Sequence, residues 1–146
     1  MGGEEKMKDA RAYAAGEAEG VALVLSQPLS FWGGIDVTTG RIIDRSHPDV
    51  GKCVTGVILV MPAGRGSSSS SSVLAESIRK GTGPAGIVIA TPDPILTVGA
   101  LVAESLYSVR CPIVVCPIDR FSTGDRVTMR AGVTGRAQVD MLGPTR

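Results

Sequence analysis

The sequence predicts an α+β domain, a strand-rich mixed α/β fold with two helices in the middle of the chain. Three observations carry this expectation. Short continuous apolar runs, Val54–Met61, Ala85–Ala90 and Cys111–Pro117, alternate with helical patterns over Val73–Lys80 and Pro94–Ser108, as expected of strands covered on both faces and joined by helices. Towards the C terminus, Asp125–Arg130 and Arg136–Asp140 instead alternate polar and apolar residues, with Gly132 and Gly135 between them. That is the pattern of an antiparallel pair. Aromatic residues make up only 3% of the 146 residues against 43% hydrophobic residues overall, so the core must be built from Val, Ile, Leu and Ala. This arrangement fits neither a dinucleotide-binding doubly wound sheet nor an eightfold α/β barrel.

From the N terminus, residues 1–18 mix Ala with Glu, Lys, Arg and Asp, and are expected to be a charged extension, helical or disordered, that precedes a single domain over 19–146. Val21–Leu25 reads as a short strand. Phe31-Trp32-Gly33-Gly34 follows, the only adjacent aromatic pair, where two glycines imply a bulge, a packed corner or a close approach to the backbone. Thr38–Asp44 reads as a turn feeding another strand, and Ser46–Gly51 as a loop. The single histidine, His47, lies in that loop before Pro48 and has no Cys, His or carboxylate at metal-ligand spacing, so it reads as a packing residue away from the serine-rich corner described next. The first long helix ends at Gly81-Thr82-Gly83-Pro84. The second opens with Asp93 as N-cap and Pro94 at its first position, and sets Leu96, Gly99, Ala103 and Leu106 on one packing stripe.

Between the apolar run Val54–Met61 and the first helix lies Pro62-Ala63-Gly64-Arg65-Gly66 followed by six serines, Ser67–Ser72. Gly64 and Gly66 permit backbone conformations and close approaches that other residues do not. Serines at a helix start can cap its unpaired N–H groups, so the segment reads as an anion-binding corner between strand and helix. A flexible serine linker has no room between two such elements, and a phosphate loop of the Walker type would need Gly-Lys-Ser/Thr where this chain has only Arg65.

Fifteen basic and fourteen acidic side chains leave a formal charge of +1, which provides no concentrated field for nucleic acid. No apolar run approaches the roughly 20 residues needed to cross a bilayer. The charged N-terminal residues lack the apolar core of a secretion signal, and the three cysteines (Cys53, Cys111 and Cys116) cannot all pair, so the expected location is cytoplasmic with reduced thiols. Cys111 and Cys116 do not make a C-x-x-C motif and read as small core residues.

Phe31-Trp32-Gly33-Gly34, His47-Pro48, Gly64-Arg65-Gly66-Ser67-Ser68-Ser69 and Val73-Leu74-Ala75-Glu76 together resemble the small, swivelling domain of the aconitase X family over about residues 20–142. The resemblance implies a swivelling β/β/α domain with a barrel-like core, similar to the aconitase small domain. It further implies a heteromeric hydro-lyase in which a larger partner, a separate chain or the rest of a fusion, holds the iron–sulfur cluster. No metal or cofactor is then bound by this chain alone. By position, Ser67 is carried over as the base that removes the substrate proton, with Gly64, Arg65, Gly66 and Ser68 as substrate-binding residues. Ser69 stands where the ordinary aconitase motif has arginine, which argues against a tricarboxylate.

Members of the family resemble either cis-3-hydroxy-L-proline dehydratase, which forms pyrroline-2-carboxylate, or phosphomevalonate dehydratase. The Gly-Arg-Gly-Ser-Ser-Ser and Phe-Trp-Gly-Gly segments look more like the former. Two different functions share the same architecture: a non-catalytic ligand-binding module, and a phosphoryl-carrier swivelling domain, for which the corner lacks the histidine. A serine base requires a site that stabilises alkoxide, for which helix N–H groups and Arg65 are candidates. Arg65 could instead grip the substrate carboxylate. The later serines, Ser70 among them, are expected to be caps or exposed residues whose loss costs little.

Overall fold

The computed structural model describes residues 5–7 and 9–142. Among these residues eight strands form one sheet: β1 (Glu5–Lys6), β2 (Arg11–Ala14), β3 (Gly16–Val24), β4 (Ile58–Met61), β5 (Gly86–Ile89), β6 (Ile113–Val115), β7 (Arg126–Ala131) and β8 (Ala137–Leu142). Across the sheet their order is β1-β8-β7-β3-β4-β5-β6-β2. The first two strands therefore lie at opposite edges although only residues 7–10 separate them in the chain. The sheet must curl to bring its edges together. The gap is crossed from β2 to the start of β8 by the backbone bond Ala12 N to Gly135 O at 2.9 Å and the antiparallel bridge of Arg11 with Arg136, which give the barrel-like shape.

Strand β3 joins two different halves. Its first part, Gly16–Val21, pairs antiparallel with β7, and its last part, Ala22–Val24, pairs parallel with β4. From there β4, β5 and β6 run parallel, linked by helix α2 (Ser70–Lys80) and helix α3 (Pro94–Tyr107). Their continuous apolar character has the expected cause. Leu59, Met61, Ile87, Ile89 and Ile113 face the helices, while Ile58, Val60, Val88 and Val114 face the inside of the curl against Val127, Met129 and Val139. Neither face meets water, so neither carries polar residues.

The two helices pack on each other at Gly99. A Cβ there would lie 2.8 Å from Ser71 O and 3.2 Å from Leu74 Cβ, so only glycine lets α3 come this close. Helix α2 ends as expected on left-handed Gly81, whose N–H bonds Ile78 O, and α3 begins on Asp93, which accepts from Ile95 N and Leu96 N. The antiparallel pair at the end of the chain is β7 with β8.

Three expectations are corrected. The described part of residues 1–18 is neither a helix nor a loose extension but β1, β2 and the start of β3. Glu17 and Glu19 are exposed while Gly16 is buried and Ala18 half-buried, a two-residue period carried by side chains too small to look like a strand. Thr38–Asp44 forms only isolated bridges, Ile35 with Ile42 and Arg41 with Cys53, and no strand. On α3 the packed stripe is Leu96, Gly99, Ala100 and Ala103, whereas Leu106 is 66% exposed.

Candidate active site

The loops that follow β3, β4 and β5 meet at the carboxyl ends of these parallel strands, the usual place for a ligand in an open α/β sheet. The first contains the short turn α1 (Phe31–Gly34), the second contains Gly64–Ser69, and the third leads to Asp93. Phe31 is fully buried and anchors the first loop, which leaves Trp32 58% exposed beside the second. Both Trp32 backbone groups are held there. Its N–H donates to Ser70 Oγ at 3.1 Å, and its carbonyl accepts from Ser30 Oγ at 2.8 Å.

Both glycines of the corner are required by contact. A Cβ on Gly64 would collide with the Asp93 carboxylate, and one on Gly66, whose φ is +104°, would collide with Ser30 Oγ. Gly64 also bridges Leu29 in parallel. The serine loop is thus clamped from two sides, by the Asp93 cap of α3 and by the Ser30 end of the first loop.

Ser67 and Ser68 are exposed and precede α2. Ser67 Oγ accepts the Ser69 N–H at 3.1 Å, a local bond that fixes the hydroxyl over the start of the helix. The amides of Ser67 and Ser68 have no acceptor among the described residues. The corner therefore offers two free N–H donors and one oriented hydroxyl at the positive end of an 11-residue helix, a setting that favours negative charge.

Arg65 is exposed and forms no hydrogen bond or ion pair among the described residues. Its charge reaches Asp44. Ser46 holds the Asp44 carboxyl below the usual carboxylate range, chiefly through Oγ donating at 2.6 Å and also through its N–H at 2.9 Å, and Arg65 and His47 add to the lowering. His47 itself is 4% exposed, with Nε2 at 3.2 Å from Gln27 O and Nδ1 accepting Asp49 N–H at 3.0 Å. It is a packing residue of its loop.

Ser70 differs from expectation. It is 2% exposed and opens α2, receives the Trp32 N–H, and lies 3.5 Å from Ser30 Oγ. The N-cap Ser69 makes no side-chain cap bond and has helical dihedral angles (φ −63°, ψ −17°) in place of the extended ones of a capping residue. In the sequence the serine run and the Phe-Trp-Gly-Gly segment stand far apart. Ser30, immediately before that segment, is the signal that a hydrogen-bonding residue ties the two together.

The thiols do not make a cluster site. Cys111 and Cys116 are buried, and burial pushes their pKa values up to about 12 and about 11, which favours neutral thiols over metal-binding thiolates. Cys53 is exposed, and its pKa is lowered chiefly by the Thr55 hydroxyl. Among the described residues no three His, Cys, Asp or Glu side chains come together. An iron–sulfur group does not fit the described residues of this chain.

A curled sheet with a serine-bearing corner at the carboxyl ends of its parallel strands defines a small mixed α/β domain. Its family is specific: the chain belongs to the aconitase X swivel domains, whose family model matches residues 7–138. It is 46% identical over 111 residues to the cis-3-hydroxy-L-proline dehydratase of Pseudomonas aeruginosa, covering 76% of this chain and 19% of that protein. It is 42% identical over 125 residues to the phosphomevalonate dehydratase small subunit of Methanopyrus kandleri, covering 83% of this chain and 87% of that one. The chain thus spans about a fifth of the hydroxyproline dehydratase it matches and most of the small subunit. The fold agrees with that of Thermococcus kodakaraensis aconitase X in its holo-form, at a TM-score of 0.83 and 31% identity over 94% of this chain and 98% of that one. The expected mixed α/β swivelling fold is the one observed.

Proposed function

We propose that the chain is the serine-bearing part of a hydro-lyase, completed by a large aconitase X partner that holds the iron–sulfur cluster. Its substrate would be a small hydroxy acid, cis-3-hydroxy-L-proline, dehydrated to pyrroline-2-carboxylate. The observation that carries this reading is Ser67. Its hydroxyl is exposed, accepts the Ser69 N–H at 3.1 Å, and stands at the start of α2.

Removing a proton α to a carboxylate needs a base, and a serine hydroxyl becomes one only where alkoxide is stabilised. The Ser69 N–H already points at the oxygen that would carry the charge. The helix start adds its own positive potential. The free Ser67 and Ser68 amides suit the substrate carboxylate, and Arg65, free of partners among the described residues, can reach the same group bidentately. Gly64 and Gly66 keep side chains out of that space. The cluster, held by the partner, would supply the Lewis acid that accepts the leaving hydroxyl.

Identity does not separate the two substrates, at 46% and 40% with two cis-3-hydroxy-L-proline dehydratases and 42% with a phosphomevalonate dehydratase small subunit, and the preference for hydroxyproline rests on charge. At the corner this chain offers Arg65 as a cation, which can grip one carboxylate, whereas a phosphomonoester calls for several cations. No helix among the described residues is long and apolar enough to cross a membrane, and a cytoplasmic location accords with the proposed metabolic role.

The test is to assay the chain with and without the large aconitase X chain of its own organism, offering cis-3-hydroxy-L-proline, phosphomevalonate and citrate. Conversion of hydroxyproline by the complex only is expected. Activity of the isolated chain would overturn the subunit reading, and preference for phosphomevalonate would overturn the substrate.

A further inference from the structure

Helix α3 is apolar on two sides. One stripe, Leu96, Gly99, Ala100 and Ala103, is buried against α2 and the sheet. A second stripe, Val98, Leu101, Val102 and Leu106, recurs at the same three-to-four-residue spacing on the opposite side and is 49%, 45%, 37% and 66% exposed. The only charged residue between Pro94 and Tyr107 is Glu104, which is tied to Arg110 at 2.7 Å. Neighbouring α2 is built differently, with Glu76, Arg79 and Lys80 towards solvent. A helix that is apolar all round belongs in an interior, and an exposed apolar stripe of this length marks an interaction surface.

We infer that this stripe is the docking surface for the large aconitase X partner, an inference that rests on the proposed subunit role. Two observations favour that occupant. Relatives contain this domain either as the small subunit of a dehydratase or as about a fifth of a single long chain, so in both arrangements it works beside a much larger body. The stripe also begins next to the serine corner. Asp93, the α3 cap, touches Gly64, and at 1.5 Å per residue Val98 lies about 8 Å and Leu106 about 20 Å further along the helix axis. A body that closes over Ser67 can continue along α3 without a break.

The experiment measures binding of this chain to the large chain of its own organism. Leu101→Glu combined with Leu106→Glu adds charge at positions already in water, so the isolated chain should keep its Tm. Its affinity for the large chain should fall at least 100-fold, since charges would be buried unpaired at the contact. Val133→Glu, at an 83% exposed residue on the β7–β8 turn, should bind as wild type does. Hydrogen exchange of the wild-type complex gives a second readout, with slowed exchange expected on the outer side of residues 98–109.

Wild-type affinity of the double variant, or unchanged exchange on α3 in a complex that forms, would overturn the stripe while leaving the subunit role intact. A chain that dimerises by itself through α3, yet binds the large chain normally when the stripe is charged, would assign the stripe to a second copy and overturn it too. Failure of the wild-type chain to bind the large chain would overturn the subunit role itself.

Discussion

Helices α2 and α3 start beside each other above the ends of β4 and β5, yet their first turns are built in opposite ways. At α3, Asp93 takes up two amides through one carboxylate oxygen, at 2.9 and 3.0 Å, and Pro94 removes a third N–H. That end is closed. At α2, the N-cap Ser69 makes no side-chain cap bond. The Ser70 and Ser71 amides turn back to Ser67 O and Ser68 O at 3.0 and 3.2 Å, the Ser69 amide is taken up by Ser67 Oγ, and the amides of Ser67 and Ser68 are left without an acceptor among the described residues. A helix end left open in this way costs stability. What it retains is the capacity to bind an anion, and the closed end next to it holds the loop in place through the Asp93–Gly64 contact.

Substitutions can test this division, beginning with the largest effect. Ser67→Ala should lower dehydration by the complex about 10²-fold or more, while the chain still folds and assembles, losing only about 1 kcal/mol with the bond from the Ser69 N–H. Exchange of the substrate α-proton with solvent reports the same step directly, and wild-type exchange in this variant would remove Ser67 as the base. Gly64→Ala should act on both helix ends at once, because the new methyl collides with the Asp93 carboxylate and approaches Leu96. A loss of about 1–3 kcal/mol is expected in denaturant unfolding, and it should combine non-additively with Asp93→Ala.

Ser70→Ala should cost about 1–3 kcal/mol, since the Trp32 N–H loses its acceptor. This reverses the mild effect that its place in a serine run suggests. The smallest effects separate the two caps most cleanly: Asp93→Ala should cost about 1 kcal/mol, whereas Ser69→Ala should stay within about 0.5 kcal/mol. Equal losses at the two positions would mean that α2 is capped after all, and that its amides are not available to a ligand.

Much of this corner was legible because its local chemistry is strong. Asp93-Pro94 and Gly81 each act within a few residues, so the start of α3 and the end of α2 follow from side-chain type alone. The alternating Arg126–Ala131 and Ala137–Leu142 likewise give an antiparallel pair. The N-terminal strands were not legible in the same way. Ala and Glu favour helix intrinsically, and only the sheet explains why Ala18 must be small. Its Cβ lies against Gly86 and beside Met129, where β3, β5 and β7 come together.

By itself, the sequence determined the buried apolar strands, the two helices, the glycine-framed serine corner and the family to which they belong, because each rests on residues near one another in the chain. Tertiary structure decided the rest. It brought Ser30 and Trp32 to Ser70 across about forty residues, placed Asp44 in the field of Arg65, and turned the described part of residues 5–18 into strands that pair with β6, β7 and β8. Those contacts depend on how the curled sheet closes, and closure is set by the packing of many small side chains at once, which no single segment encodes.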